Sequence, residues 1–153
     1  MAAYNIARNN FTTSTTDDSL TIVTAASGVG SRVHMYEVFI GGMNGSSSLS
    51  NNAFARSTGG TTPGAAITPT PLDSNSSGTL GFSVPTTWAG GQPTLGTSFV
   101  LCPTLQGNGG QYKWWAVPGK PIIVGTGAAV SNLSFRALNN TSTMAIDIKV
   151  ELP

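Results

Sequence analysis

The end of the chain alternates without a break. Ile146, Ile148, Val150 and Leu152 interleave with Asp147, Lys149 and Glu151, a period of two that puts the four apolar side chains on one face of an extended strand. A one-residue slip in pairing would turn all four into water, so this segment carries its own register into any sheet that covers it. Asn132 to Leu138 repeats the pattern, with Leu133, Phe135 and Ala137 set against Ser134 and Arg136. Upstream, the run Trp114-Trp115-Ala116-Val117-Pro118-Gly119-Lys120-Pro121-Ile122-Ile123-Val124 mixes strand formers with Gly and Pro, which reverse the chain rather than continue a helix. No helical period runs beyond about two turns and no internal repeat is present. These features predict an all-β chain of about seven or eight short strands, arranged as a jelly-roll-like antiparallel β-sandwich with long loops.

Thr21-Ile22-Val23-Thr24 begins a short strand that Ser27-Gly28-Val29-Gly30 closes as a turn. Arg32 to Ile40 has apolar residues at both parities, Val33, Met35 and Phe39 on one and Tyr36, Val38 and Ile40 on the other. That pattern predicts a central strand covered on both sides, or one face meeting a partner. Gly41 to Gly81 is rich in Gly, Ser, Asn, Thr and Pro, too long for a structureless loop, and a strand is expected at Ala53 to Ser57. Val84 to Gly96 reads as irregular, Ser98 to Leu101 as a strand, and Gly107-Asn108-Gly109-Gly110 as the turn into Gln111 to Ala116. At the other end, Tyr4, Ile6 and Phe11 are sparse and the following Thr-rich run is unpatterned. The expected division is therefore an extended N-terminal arm over residues 1–18, docking on a neighbouring subunit, and a sandwich domain over 19–153.

Composition narrows function more than fold. Only 8% of the 153 residues are charged and the net charge is +1, against roughly 25% charged in an ordinary soluble domain. Seven Lys and Arg spread along the chain form no basic stripe, so nucleic acid is not an expected partner. No apolar run approaches the roughly 20 residues of a membrane helix, and the first residues lack the basic-then-apolar pattern of a secretory leader. A single Cys, Cys102, rules out an intrachain disulfide and is expected to be a buried small hydrophobe.

Catalytic residue types are scarce. The one histidine, His34, lies mid-strand and with one Cys cannot build a closed zinc site of Cys and His ligands. No Gly-x-Ser-x-Gly elbow and no phosphate-binding Gly-x-x-x-x-Gly-Lys loop occurs. Nothing in the spacing of Asp17, Asp18, Glu37, Asp73, Asp147 and Glu151 selects a catalytic pair, and Asp17-Asp18 reads as a solvated turn. The expectation is a protein that is not an enzyme and holds no cofactor or metal. Glu37 shares its parity with apolar neighbours and so calls for a structural ion-pair partner, Arg56 or Arg136. Trp114 and Trp115 are adjacent on a strand and must point to opposite faces, one to the core and one outward. The expected interface residues are Tyr4, Ile6, Phe11, Trp88 and Trp115.

Taken in order, Glu37-Val38-Phe39-Ile40-Gly41-Gly42, Arg56-Ser57-Thr58-Gly59-Gly60-Thr61-Thr62-Pro63, Trp88, Trp114-Trp115-Ala116-Val117-Pro118 and Val150-Glu151-Leu152 resemble the small jelly-roll decoration or cement proteins of tailed-bacteriophage heads. The resemblance runs from Arg32 to Leu152. It implies a structural protein of the virion that is assembled in the host cytoplasm. There it binds the major capsid protein on the outer capsid surface, as a homotrimer, and stabilises contacts between capsomers. The alternative is a carbohydrate-binding or host-adhesion β-sandwich module of a virion, which requires an exposed aromatic patch ringed by polar groups.

Overall fold

The structure, a computed structural model, describes residues 2–24, 32–43, 47–73, 80–125 and 132–153; the Ser27 to Gly30 turn lies outside them. Thirteen strands follow one another along the described chain: β1 (Ala2–Thr12), β2 (Leu20–Thr24), β3 (Val33–Gly42), β4 (Leu49–Thr58), β5 (Ala66–Ile67), β6 (Thr70–Pro71), β7 (Phe82–Pro85), β8 (Thr94–Leu101), β9 (Thr104–Gln106), β10 (Gln111–Trp115), β11 (Ile122–Val124), β12 (Asn132–Ala137) and β13 (Thr143–Leu152). They form two antiparallel sheets. One runs β10-β3-β13-β1-β6, with β11 following β10 along the same edge of β3; the other runs β5-β7-β2-β12-β4-β8, with β9 following β8 along β4. Each of those edges is thus a single interrupted strand. The principal strands then read first, eighth, third and sixth in one sheet and second, seventh, fourth and fifth in the other, the order of a jelly roll.

β13 behaves as its alternation requires. Met144, Ile146, Ile148, Val150 and Leu152 are buried between the sheets, and its neighbours are β1 and β3. Phe135 of β12 meets its cross-strand neighbour Phe54 of β4 at 4.9 Å and, across the interlayer space, Phe11 of β1 at 6.4 Å between ring centroids. Such side chains each contribute about 1.5–3 kcal/mol on burial.

The N-terminal segment is a strand of the sandwich and not an arm, which corrects the division at residue 18. β1 pairs with β13 from Ala2 opposite Leu152 to Thr12 opposite Thr143, and Tyr4, Ile6 and Phe11 are 3%, 0% and 5% exposed in their own subunit's core. A register shift between Arg8 and Phe11, with Asn10 at φ 51°, separates Ile6 from Phe11 by an odd number of residues and still brings both inward.

β3 resolves its double parity the same way. Lys149 lies opposite Glu37 while Val150 lies opposite Met35, so Tyr36 is an extra residue in the strand. Val33, Met35, Val38 and Ile40 therefore all face the core, and each is 0% exposed. The expected strand at Ala53 to Ser57 extends over the whole of β4, the irregular Val84 region begins within β7, and β8 starts at Thr94 rather than Ser98. Cys102, between β8 and β9, is exposed rather than buried.

The outer face of the second sheet is closed by a polar network. Asp18, expected in a solvated turn, has a fully buried side chain paired with Arg136 (Nη2 to Oδ1 2.6 Å). Its other carboxylate oxygen accepts from Thr21 at 3.0 Å and from Ser134, and Ser134 lies 2.7 Å from the Ser57 hydroxyl. Gln92 and Pro93, at the end of the long β4–β8 excursion, lie on this network: the Asp18 amide donates to Gln92 Oε1 and Arg136 donates to the Pro93 carbonyl. Trp88 anchors the excursion, and the close approach needs a glycine: a Cβ on Gly60 would stand 2.7 Å from the indole.

Candidate functional site

With the second sheet covered, the open surface is the outer face of the first. The bulge at Tyr36 gives β3 two consecutive outward residues, Tyr36 and Glu37. Across the edge, Trp115 of β10 lies opposite Glu37 and Ile122 of β11 lies opposite Met35, so residues 116–121 span the place of Tyr36 alone. The excess chain leaves the sheet as a projecting loop. Ala116 N–H donates to the Tyr36 carbonyl at 2.7 Å, and a turn closes from Lys120 N–H to the Val117 carbonyl at 2.9 Å, with Gly119 at φ 76°. Bulges of this kind re-aim side chains and cluster at functional sites.

Beside the loop lies a shallow cavity of about 290 Å³, small for an organic-ligand pocket. Its walls include Tyr36, Glu37, Trp115, Lys149, Glu151 and Leu72. Trp115 is 65% exposed, while Trp114, opposite Val38, turns inward and packs half-buried on the core. Strand alternation alone separates the two tryptophans, as their adjacency required.

Glu37 is held by Lys149 at 3.0 Å and Lys113 at 3.4 Å. The lysines, Lys149 foremost through its hydrogen bond, keep the carboxyl below its ordinary value against a smaller upward pull from burial. Lys113 also stands 5.5 Å from the Trp115 ring centroid, a cation–π approach. Burial, and then the hydrogen-bonding Glu151 carboxylate, raise the pKa of the Tyr36 phenol. The cavity thus presents one aromatic wall and a rim of fixed donors and acceptors whose charges nearly balance. It can hold a neutral polar molecule against an apolar face. Among the described residues no group of three or more His, Cys, Asp and Glu is placed to hold a metal ion.

The expected site residues do not assemble into one place. Tyr4, Ile6 and Phe11 are core. Trp88 is half-buried beneath the excursion, its indole N–H buried without an acceptor among the described residues. Glu37 pairs with lysines and not with Arg56 or Arg136, because those arginines belong to the second sheet, Arg136 on its covered outer face with Asp18. Of the expected interface residues only Trp115 lies in the open. Tyr36, Lys149 and Glu151 were missed, although Val33-x-Met35-x-x-Val38-x-Ile40 carries the bulge signal: one extra residue restores a single buried face. Compared with family models, with curated proteins and with solved structures, the chain matches none, so the geometry of its own surface is what any functional reading rests on.

Proposed function

We propose that the chain is a virion structural protein, a decoration or cement protein that binds the major capsid protein on the outer surface of an assembled capsid and staples neighbouring capsomers as a homotrimer. The observation that carries this reading is a group of exposed apolar side chains at one end of a nearly uncharged sandwich. Met43, Leu49 and Leu138 are 53%, 54% and 39% exposed. Met43 and Leu138 directly follow β3 and β12 and Leu49 opens β4 at the same end, with Met43 N–H on the Thr143 carbonyl, Leu138 N–H on the Asn51 carbonyl and Asn140 on the Leu49 carbonyl. Loops carried on a rigid sandwich are the usual bearers of contacts, and a surface poor in charge suits an interface whose centre excludes charged residues. The test is co-sedimentation with capsids lacking the protein, together with its mass in solution. Met43→Ser, Leu49→Ser and Leu138→Ser combined should abolish attachment and leave the thermal midpoint nearly unchanged. Wild-type protein that stays monomeric and fails to sediment with any such capsid would refute the proposal.

The Trp115 cavity favours a second reading, a carbohydrate-binding module. A sugar ring has an apolar C–H face to lay on an indole and rim hydroxyls to bond Glu37, Lys149 and Glu151. Titration with neutral oligosaccharides should quench tryptophan fluorescence in the wild type and not in Trp115→Ala. The absence of a response to any neutral glycan at millimolar concentration would dismiss it.

A further inference from the structure

Among the described residues Arg8, Arg32, Arg56 and Lys120 form no ion pair, and of the two that are half-buried Arg8 donates to the Ser19 carbonyl whereas Arg56 leaves Nη1 without an acceptor. Arg56 lies on β4 opposite Leu133 of β12, two residues on from the pair Phe54 and Phe135. By alternation its side chain therefore rises from the core-facing side of the second sheet, at the end where β4, β11 and the start of β3 meet. The guanidinium is half-buried, and its Nη1, which carries two of the five N–H donors, is buried with no hydrogen-bond partner. All six carboxylates of the chain fall among the described residues. The ion pairs they form with described cations are Asp18 with Arg136 and Glu37 with Lys113 and Lys149; Arg56 takes part in none. A second arginine, Arg32, faces the same cavity of about 280 Å³, whose other described walls are Ile123 and Gly125.

Two like charges lining one small cavity repel each other, and a desolvated guanidinium without an acceptor is costly. Arginine's planar fork matches an oxyanion in a bidentate arrangement, and of the described buried side-chain atoms without a partner only Arg56 Nη1 belongs to a charged group, for which an ion is the natural complement. We infer that this cavity at the sandwich end binds an oxyanion, a carboxylate or phosphate group, gripped by Arg56 and closed over by Arg32. The inference is independent of the capsid reading and of the Trp115 cavity, which lies on the outer face of the first sheet. Two sources share this chemistry: a free anion, and a carboxylate side chain of a second copy of the chain.

The experiment is thermal unfolding of the full chain in sodium phosphate or sodium acetate against sodium chloride at matched ionic strength. Phosphate at a hundred times its Kd should raise the midpoint by roughly 5 to 10 °C. Arg56→Met should remove that rise while leaving the midpoint in chloride unchanged or higher, because an unpaired buried charge has been replaced by an apolar chain of similar length. Arg32→Gln should weaken the affinity for phosphate about tenfold and leave the midpoint in chloride unchanged or slightly higher, because one of two repelling charges is gone. Sedimentation in the two salts separates the sources: oligomers dispersed by phosphate identify a second copy's carboxylate, and an unchanged mass with a raised midpoint identifies a free anion. Equal midpoints in phosphate, acetate and chloride would overturn the inference. So would a phosphate effect that persists in Arg56→Met, or a large loss of stability in that variant in chloride, which would mark Arg56 as an internally satisfied structural residue.

Discussion

Asp18 and Glu37 are both carboxylates held by cations, and their surroundings set very different consequences for losing them. Asp18 has no exposed side-chain surface and Arg136 is only 14% exposed, so Asp18→Ala strands a buried guanidinium and should cost about 3–5 kcal/mol. Glu37 is 26% exposed and its lysines about half exposed; Glu37→Gln should cost about 0.2–1 kcal/mol. Urea unfolding midpoints of the two variants check both, and a larger loss for Glu37→Gln than for Asp18→Ala would contradict the burial argument. The sign of the pH effect follows from the lowered Glu37 value. Near its ordinary value of about 4.3 the unfolded chain binds more protons than the folded one, so the pair's stabilisation is complete above that pH and is lost as pH falls through the lower folded value. Glu37→Gln should flatten this part of the acid limb of stability against pH; an acid limb identical to wild type would count against the lysine pairing. Neither partner choice was legible in the sequence. Only Asp18, and not Asp17, is carried under Gln92 and Pro93, and nothing local distinguishes the two.

At the scale of elements, β12 and β13 could be read from alternation because neither carries an extra residue of its own: β12 pairs without a shift, and the shifts along β13 come from extra residues in β1 and β3. β1 and β3 could not, because each contains one irregularity that changes parity partway. β1 is also a structural necessity. Removing residues 2–12 deletes Tyr4, Ile6 and Phe11 from the core, at about 1.5–3 kcal/mol each, and strips one side of β13. That sum is of the order of a domain's entire stability, about 5–15 kcal/mol, so the truncated chain should show no cooperative thermal transition. Retention of the full transition would mean that β1 is dispensable after all. The bulge in β3 makes a paired prediction. Deleting Tyr36 leaves Val33, Met35, Val38 and Ile40 on one face and should be tolerated, with loss of ligand binding at the Trp115 cavity if such binding is found. Deleting Phe39 turns Ile40 outward and should lower stability by at least about 1.5–3 kcal/mol. Circular dichroism melts of the two deletions settle it: equal midpoints would argue against the bulge.

The whole molecule is a jelly roll with one sheet covered by its own excursion, one sheet face open, and an apolar loop end. With so few charges, the capsid attachment proposed for that end should change little between about 50 and about 500 mM salt, since screening has little to act on. Steep loss of binding with salt would place the contact on a charged surface instead. The sequence by itself determined the all-β class, the register of the last two strands, the outward placement of one of the paired tryptophans, and the absence of a disulfide framework, because each follows from local periodicity or from a residue count. Tertiary structure alone decided that the first strand is core, that Glu37 meets lysines, that Asp18 is buried and that Arg56 finds no counter-charge among the described residues. Those outcomes depend on which strands become neighbours, and in a jelly roll the neighbours come from opposite ends of the chain: Ala2 lies opposite Leu152, and the bulges that reset parity are fixed by that pairing rather than by the residues beside them.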